Sequence, residues 1–164
     1  MMFTSIREKC NALSSSFAEI PQERNTKLAQ LAAYIQLKKD AQLPVNLVYI
    51  CTHNSRRSHF GQIWAAVAAS YYGISAVRTF SGGTEATAFH PNAIQALRET
   101  GFEIAAVDAG QNPLYNVRFG DRESCNCFSK VYDDPANPAA HFAAIMTCSE
   151  AEASCPFIRG DEQR

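Results

Sequence analysis

The sequence predicts a doubly wound α/β domain, a parallel sheet with flanking helices, preceded by a helical N-terminal extension. Three observations carry that expectation. Residues 45–50, VNLVYI, form a nearly continuous β-prone run, the pattern of a strand covered on both faces in a parallel sheet. A polar loop then leads into residues 58–72, where Phe60, Trp64, Val67 and Tyr71 fall along one helical stripe. A second strand at Val77 to Phe80 and a second helix follow, and that alternation implies right-handed βαβ units.

Taken in order, residues 4–19 set Ile6, Cys10, Leu13 and Phe17 at helical spacing, with Ser5 and Glu8 in the form of a capping box. Pro21 interrupts the pattern, and residues 22–40 bring Leu28, Leu31 and Ile35 onto one face before the basic end Lys38-Lys39. These two amphipathic helices either cap the sheet or form a dimer contact. Cys10 and Trp64 are expected in the core. After the second strand comes Ser81-Gly82-Gly83, and His90-Pro91-Asn92 opens a helix that Gly101 closes. Residues 102–141 are less regular, with breakers at Asn112-Pro113, Gly120-Asp121 and Asp134-Pro135 and strand-like pieces at 115–119 and 128–132, so an inserted hairpin or long loop is expected across 108–141. Phe142 to Thr147 reads as a further sheet strand delivering Cys148. The ending RGDEQR offers no last strand or closing helix, so the domain over 41–164 is expected to be C-terminally truncated, with residues 1–40 as its extension.

Composition narrows the chemistry. With a formal charge of -1 and 19% charged residues there is no global drive toward nucleic acid or an anionic membrane, so any anion site must be local. No apolar run approaches the roughly 18 residues of a membrane span, and MMFTSIREKC has neither a long apolar core nor a basic leader. A cytoplasmic protein is expected. On that footing the cysteines Cys10, Cys51, Cys125, Cys127, Cys148 and Cys155 read as reduced, partly redox-active thiols rather than as three disulfides.

The loop Cys51-Thr52-His53-Asn54-Ser55-Arg56-Arg57-Ser58 has the form C-x5-R-S between strand and helix. Such a loop can turn successive backbone N–H groups inward, while the helix N-terminus adds positive potential and Arg57 a planar fork. That is a cradle for a tetrahedral oxyanion. The same field stabilises a thiolate, which makes Cys51 the expected nucleophile and Ser58 a hydroxyl donor to its sulfur. The Gly-Lys-Ser or Gly-Lys-Thr ending of a nucleotide phosphate loop is absent. Further on, Cys148 to Pro156 has the form C-x6-C-P, either a redox pair or two unrelated buried cysteines. A rival arrangement joins Cys125 and Cys127 with Cys148, Cys155 or His141 as a zinc site, although the spacing is unlike paired C-x2-C knuckles. His59 reads as a helix-surface residue and His90 as a helix N-terminal one.

CTHNSRRS resembles the signature loop of the low-molecular-weight protein tyrosine phosphatase superfamily, and within it is most similar to the thioredoxin-coupled arsenate reductases. SGGTEATAFHPNAIQALRETGFEI resembles the strand, loop and helix that follow in that family, so the likeness covers about residues 45–107 and 142–158. It implies an oxyanion site made by Thr52, His53, Asn54, Ser55, Arg56 and Arg57, with Asn54 bracing the loop and His53, standing where a glycine is common, either narrowing the mouth or altering selectivity. It implies catalysis by Cys51, Arg57 and Ser58, with Cys148 attacking Cys51 and Cys155 resolving onto Cys148 to present a disulfide to thioredoxin. No cofactor or metal is expected, and neither nucleic acid nor membrane is an expected partner. The alternatives are a phosphatase acting on a phosphoprotein through a phosphocysteine, and a non-catalytic oxyanion-binding or thiol-sensing module. Both enzyme branches use an aspartic acid of a late Asp-Pro as proton donor. Asp134-Pro135 has those letters but precedes Cys148, and is expected to be a loop breaker.

Overall fold

The computed structural model describes residues 1–154 and 157–164. Along the chain run α1 (Thr4–Ser15), a 3-10 turn (Phe17–Glu19), α2 (Gln22–Asp40), β1 (Val45–Cys51), α3 (Arg57–Tyr71), β2 (Val77–Gly83) and α4 (Pro91–Thr100). There follow β3 (Glu103–Ala106), β4 (Tyr115–Gly120), β5 (Glu123–Cys127), β6 (Phe142–Met146), α5 (Ser149–Ser154) and β7 (Asp161–Gln163). The central sheet has the order β2-β1-β6-β7 with every pairing parallel, and helices flank it, so the fold is doubly wound α/β as expected.

Burial of both faces of β1 explains why its sequence is apolar apart from Asn46. Val45 and Leu47 face α2, packing with Tyr34, Leu31 and Ile35, and Tyr49 on the same face meets α3 at Gly61. Val48 and Ile50 face the other way, against Phe142, Ala144, Ala151 of α5 and Ile158. Val45, Val48 and Ile50 are fully buried, each contributing about 1.5–3 kcal/mol by removal from water. A third cluster joins Ile6 and Cys10 of α1, Ile63 and Val67 of α3, Ile94 and Leu97 of α4, and Val117 and Phe119 of β4.

The 102–141 region holds more order than its sequence suggests. A three-stranded antiparallel sheet, β3-β4-β5, occupies its first part. Its second strand matches the expected piece at 115–119, but the third runs Glu123–Cys127, ahead of the 128–132 expected. Residues 128–132 instead run beside β2, where Val131 bridges Gly83 and Gly83 exchanges backbone hydrogen bonds with Lys130 and Tyr132. A β-carbon on Gly82 would collide with the Tyr132 backbone, so that glycine is what permits the approach.

Four other expectations need correction. The capping box at Ser5 and Glu8 does not form: α1 begins at Thr4 behind Phe3 with no side-chain cap, because the Phe3 N–H is held by the Phe119 carbonyl of β4. Leu13, Phe17 and Leu28 stay largely exposed, since the helices bury narrower stripes than their periodicity allows. Trp64 is half-buried rather than core, standing edge-on against Phe102. The ending read as strandless supplies β7, which adds to β6 in parallel.

That edge strand is fastened by polar contacts where apolar burial is thin. Glu162 of β7 pairs with Lys38 of α2, accepts from the Tyr34 hydroxyl at 2.9 Å and meets His141 Nδ1 at 2.9 Å. The Lys38 ammonium first, then His141, pull the Glu162 carboxyl down to about 2, against a smaller opposing effect of burial. Since the folded value lies below the ordinary 4.5, the stabilisation is complete above about pH 4.5 and is lost as pH falls toward 2. Glu162→Gln should therefore flatten the dependence of melting temperature on pH between those limits. An acid limb unchanged by the substitution would exclude Glu162 as its source.

Candidate functional site

β1 ends at Cys51 and α3 begins at Arg57, so the loop crosses the carboxyl edge of the sheet and enters a helix N-terminus. Its carbonyls are turned outward onto the surrounding chain. The Cys51 carbonyl accepts from Thr84 N–H at 3.1 Å, that of Thr52 from Glu85 N–H at 2.9 Å, and that of Ser55 from His90 N–H at 3.0 Å. The His53 carbonyl accepts from two hydroxyls, Thr87 at 3.1 Å and Ser129 at 3.0 Å. In a trans peptide the N–H lies opposite the preceding carbonyl, so the N–H groups of Thr52, His53, Asn54 and Arg56 point toward the other side of the loop. Among the described residues no backbone N–H of 53–58 is engaged by another group. Such a row of donors above a helix N-terminus favours an anion.

Asn54 fixes that shape. Its φ of 44° is in the left-handed region, which asparagine tolerates better than most side chains. The side chain is fully buried: Nδ2 donates to Ser58 Oγ at 2.7 Å, and Oδ1 accepts the Lys130 backbone N–H at 2.9 Å. Because the amide can only donate to Ser58, the Ser58 hydroxyl proton is left for Cys51 Sγ, 3.1 Å away. Cys51 itself is 3% exposed. Gly83 completes the fit, since a β-carbon there would strike the Thr52 carbonyl and the Asn54 amide.

Cys148 stands beside this loop, its Sγ 3.6 Å from Thr52 Oγ1. Burial raises its pKa, but hydrogen bonds from the Ala151 backbone and from the Thr52 hydroxyl and amide, together with the charge of Arg57, outweigh it, and the thiol titrates below its ordinary value. Arg56 and Arg57 are exposed, and neither forms an ion pair with a described residue. Ser55 is tied away from the cradle, its hydroxyl donating to the Ala88 carbonyl at 2.8 Å. His53 lies on the rim, its Nε2 2.8 Å from Glu85. The structure thus brings together Cys51, Thr52, Asn54, Ser58 and Cys148, with Arg57 near enough to act on Cys148 by its charge. Cys155 lies outside the described residues.

His59 is the clearest departure from expectation. Far from the surface, it is fully buried with its ring 4.1 Å from that of Phe89. The Ser81 hydroxyl donates to Gln62 Oε1 at 2.7 Å, so His59 Nδ1 carries a proton toward Ser81, and Nε2 is left buried without a hydrogen bond. Burial first, then the Lys130 charge, lower its pKa to about 3, opposed by the Asn54 backbone, so the ring is neutral at pH 7. It serves as packing beneath the loop. Asp134 acts as a turn residue, its carboxylate accepting the Ala136 N–H at 2.8 Å. Cys125 and Cys127 share one face of β5, and among the described residues no group of three or more His, Cys, Asp or Glu could hold a metal ion, so neither Cys148 nor His141 completes the zinc arrangement; its version with Cys155 lies outside the described residues. No described helix is long and apolar enough to cross a membrane.

Sequence reasoning missed the outer brace. Ser129 receives the Thr87 N–H at 2.8 Å as well as bonding to His53, and Asn112 holds Ser129 through both its amide atoms. Asn112 was visible only as a breaker before Pro113, and nothing local marks Ser129 or Lys130, whose partners are some 76 residues away.

No family model matches the chain. A protein of Brevibacillus brevis named arsenate reductase is 37% identical over 59 residues, a segment that is 36% of this chain and 41% of that protein. The likeness spans less than half of either protein, and it hints at a cysteine-dependent oxyanion enzyme.

Breaking the Asn54 brace isolates its contribution. Asn54→Gly leaves the Lys130 N–H buried without a partner and should cost about 1–3 kcal/mol in denaturant unfolding. Asn54→Ala should cost roughly 1 kcal/mol more, because alanine resists positive φ. Both should slow iodoacetamide labelling of Cys51, read by peptide mass; unchanged labelling would mean that Ser58 holds its orientation alone.

Proposed function

We propose that this chain reduces arsenate through Cys51 and a second thiol, Cys148, with reducing equivalents from thioredoxin. The observation that carries the reading is the second thiol beside the oxyanion loop, 3.6 Å from the hydroxyl of Thr52. A phosphatase built on the same loop has no use for it. The partial likeness to a protein named arsenate reductase supports the same choice.

In this reading arsenate occupies the N–H groups of residues 53–57, with Arg57 closing on its oxygens. The Cys51 thiolate attacks arsenic and one oxygen leaves as water after protonation, forming a sulfur–arsenic bond. Ser58 stabilises the thiolate before attack. The Cys148 thiolate then attacks Cys51 Sγ: a disulfide forms, the sulfur–arsenic electron pair stays with arsenic, and arsenite departs reduced by two electrons. Cys155 attacks Cys148, which frees Cys51, and the new disulfide is reduced by the dithiol of thioredoxin.

The full chain mixed with arsenate, thioredoxin, thioredoxin reductase and NADPH should oxidise NADPH, and Cys148→Ser should lower turnover by about a hundredfold or more. Equal hydrolysis of an aryl phosphate by wild type and Cys148→Ser, with no NADPH consumed, would instead make it a phosphatase. Arsenate binding without either product would make it an oxyanion-binding module.

A further inference from the structure

Thr52 lies between two groups that compete for its only proton. Its Oγ1 is 3.6 Å from Cys148 Sγ and 3.4 Å from Glu150 Oε2 on the first turn of α5. A hydroxyl has a single proton to donate. When that proton goes to the Glu150 carboxylate, Cys148 loses a donor that its thiolate needs; when it goes to Cys148, the thiolate is stabilised.

We propose that Glu150 is a positioning residue that competes with Cys148 for the Thr52 hydroxyl and so limits the Cys148 thiolate, with Thr52 acting as the switch between a quieter and a more reactive second thiol. Nothing in the C-x6-C-P pattern requires it, since the glutamate acts through a loop residue and not through either cysteine. An ionised carboxylate is the stronger acceptor for a neutral hydroxyl, which favours capture while Glu150 is charged. The through-space effect has the same sign, because a nearby carboxylate disfavours a thiolate. Opposing it are the hydrogen bonds to Cys148 from the Ala151 backbone and from the Thr52 hydroxyl and amide, and the Arg57 charge, which together still hold the thiol below its ordinary value.

The other titratable groups around Cys148 are few. Glu152 follows on α5, Cys51 precedes Thr52 on β1, and Tyr132 shares the apolar cluster against which Cys148 packs. Of the carboxylates, Glu150 is the one within hydrogen-bonding range of the Thr52 hydroxyl among the described residues. Two consequences follow for a thiol pair at an oxyanion loop. A quiet Cys148 limits premature disulfide formation with Cys51, and an oxyanion entering beside Thr52 introduces a second acceptor that can draw its hydroxyl from Glu150.

The inference takes Cys148 as the second thiol of the reading above, but its test does not use arsenate. Reduced full-length protein is labelled with iodoacetamide across pH 5–10 and the Cys148 peptide is quantified by mass spectrometry. Glu150→Gln removes the charge and supplies an amide that can donate to Thr52 Oγ1, freeing the hydroxyl proton for sulfur. It should raise Cys148 labelling at neutral pH by about tenfold, equivalent to one pH unit in the midpoint. Thr52→Val should lower labelling, and adding Glu150→Gln to Thr52→Val should raise it only slightly, by the through-space effect alone. Glu150→Asp should stay near wild type. Unchanged labelling in Glu150→Gln would overturn the proposal, and so would a full Glu150→Gln effect in the Thr52→Val background, which would reduce Glu150 to a field effect. Arsenate turnover assayed separately keeps the two readings distinguishable: inactivity toward arsenate leaves the labelling result standing, and a null labelling result leaves the reductase reading standing.

Discussion

The buried Asn54 side chain is the constraint on which the loop depends. One amide joins three points of the chain: its own left-handed turn, the Ser58 hydroxyl at the start of α3, and the distant Lys130 amide in the segment beside β2. Each attachment has a different consequence. The positive φ bends the loop, the bond to Ser58 directs a hydroxyl proton at Cys51, and the bond to Lys130 ties the loop to a segment that is itself locked to Gly83. Since the amide is fully enclosed, any conformation that breaks one bond leaves a polar group without water to replace it. That penalty is what keeps the peptide dipoles aligned.

Much of this was legible in local sequence, and the part that was not has a common cause. The strand at residues 45–51 announced itself because both its faces are buried, leaving Asn46 as its one polar interruption. The helix from Pro91 was bounded by chemistry: His90 accepts the Asn92 N–H at 3.1 Å as its cap, and Gly101 closes it with a φ of 109°. The loop residues were nameable because their role is set by order along the chain. His59 was misjudged because helical position says only that it lies beside Phe60; which neighbour faces the sheet depends on Ser81 and Phe89, far off in sequence. The brace of Asn112, Ser129 and Lys130 was invisible for the same reason. β7 escaped because a three-residue edge strand held by Glu162 carries no apolar alternation to detect.

Glycine placement connects the outer layer to the site. Gly82 and Gly83 are consecutive on β2 and therefore point to opposite faces of the sheet. One admits the Tyr132 backbone and the other admits the loop carbonyls and amides at Thr52 and Asn54. A side chain at either would push apart two segments that share hydrogen bonds through residues 128–131, so the dipeptide works as a spacer set to zero on both sides. The segment following the antiparallel sheet is thereby part of the loop's support, even though it carries none of the candidate reacting groups.

Register explains why the two thiols meet. β1 and β6 are adjacent and parallel, with Val48 opposite Ala144 and Ile50 opposite Met146. Carrying that register two residues past the Ile50–Met146 pair sets Thr52 opposite Cys148, and the Thr147 N–H and hydroxyl, both bonded to the Ile50 carbonyl at 2.8 Å, extend the pairing in that direction. The separation of 3.6 Å between Thr52 Oγ1 and Cys148 Sγ is the result. A slip of one residue would exchange the two faces of β6, moving Phe142 and Ala144 out of the apolar layer they share with Val48 and Ile50. The hydrophobic pattern of two strands therefore holds the second thiol at the loop, and the site inherits its geometry from the core beneath it.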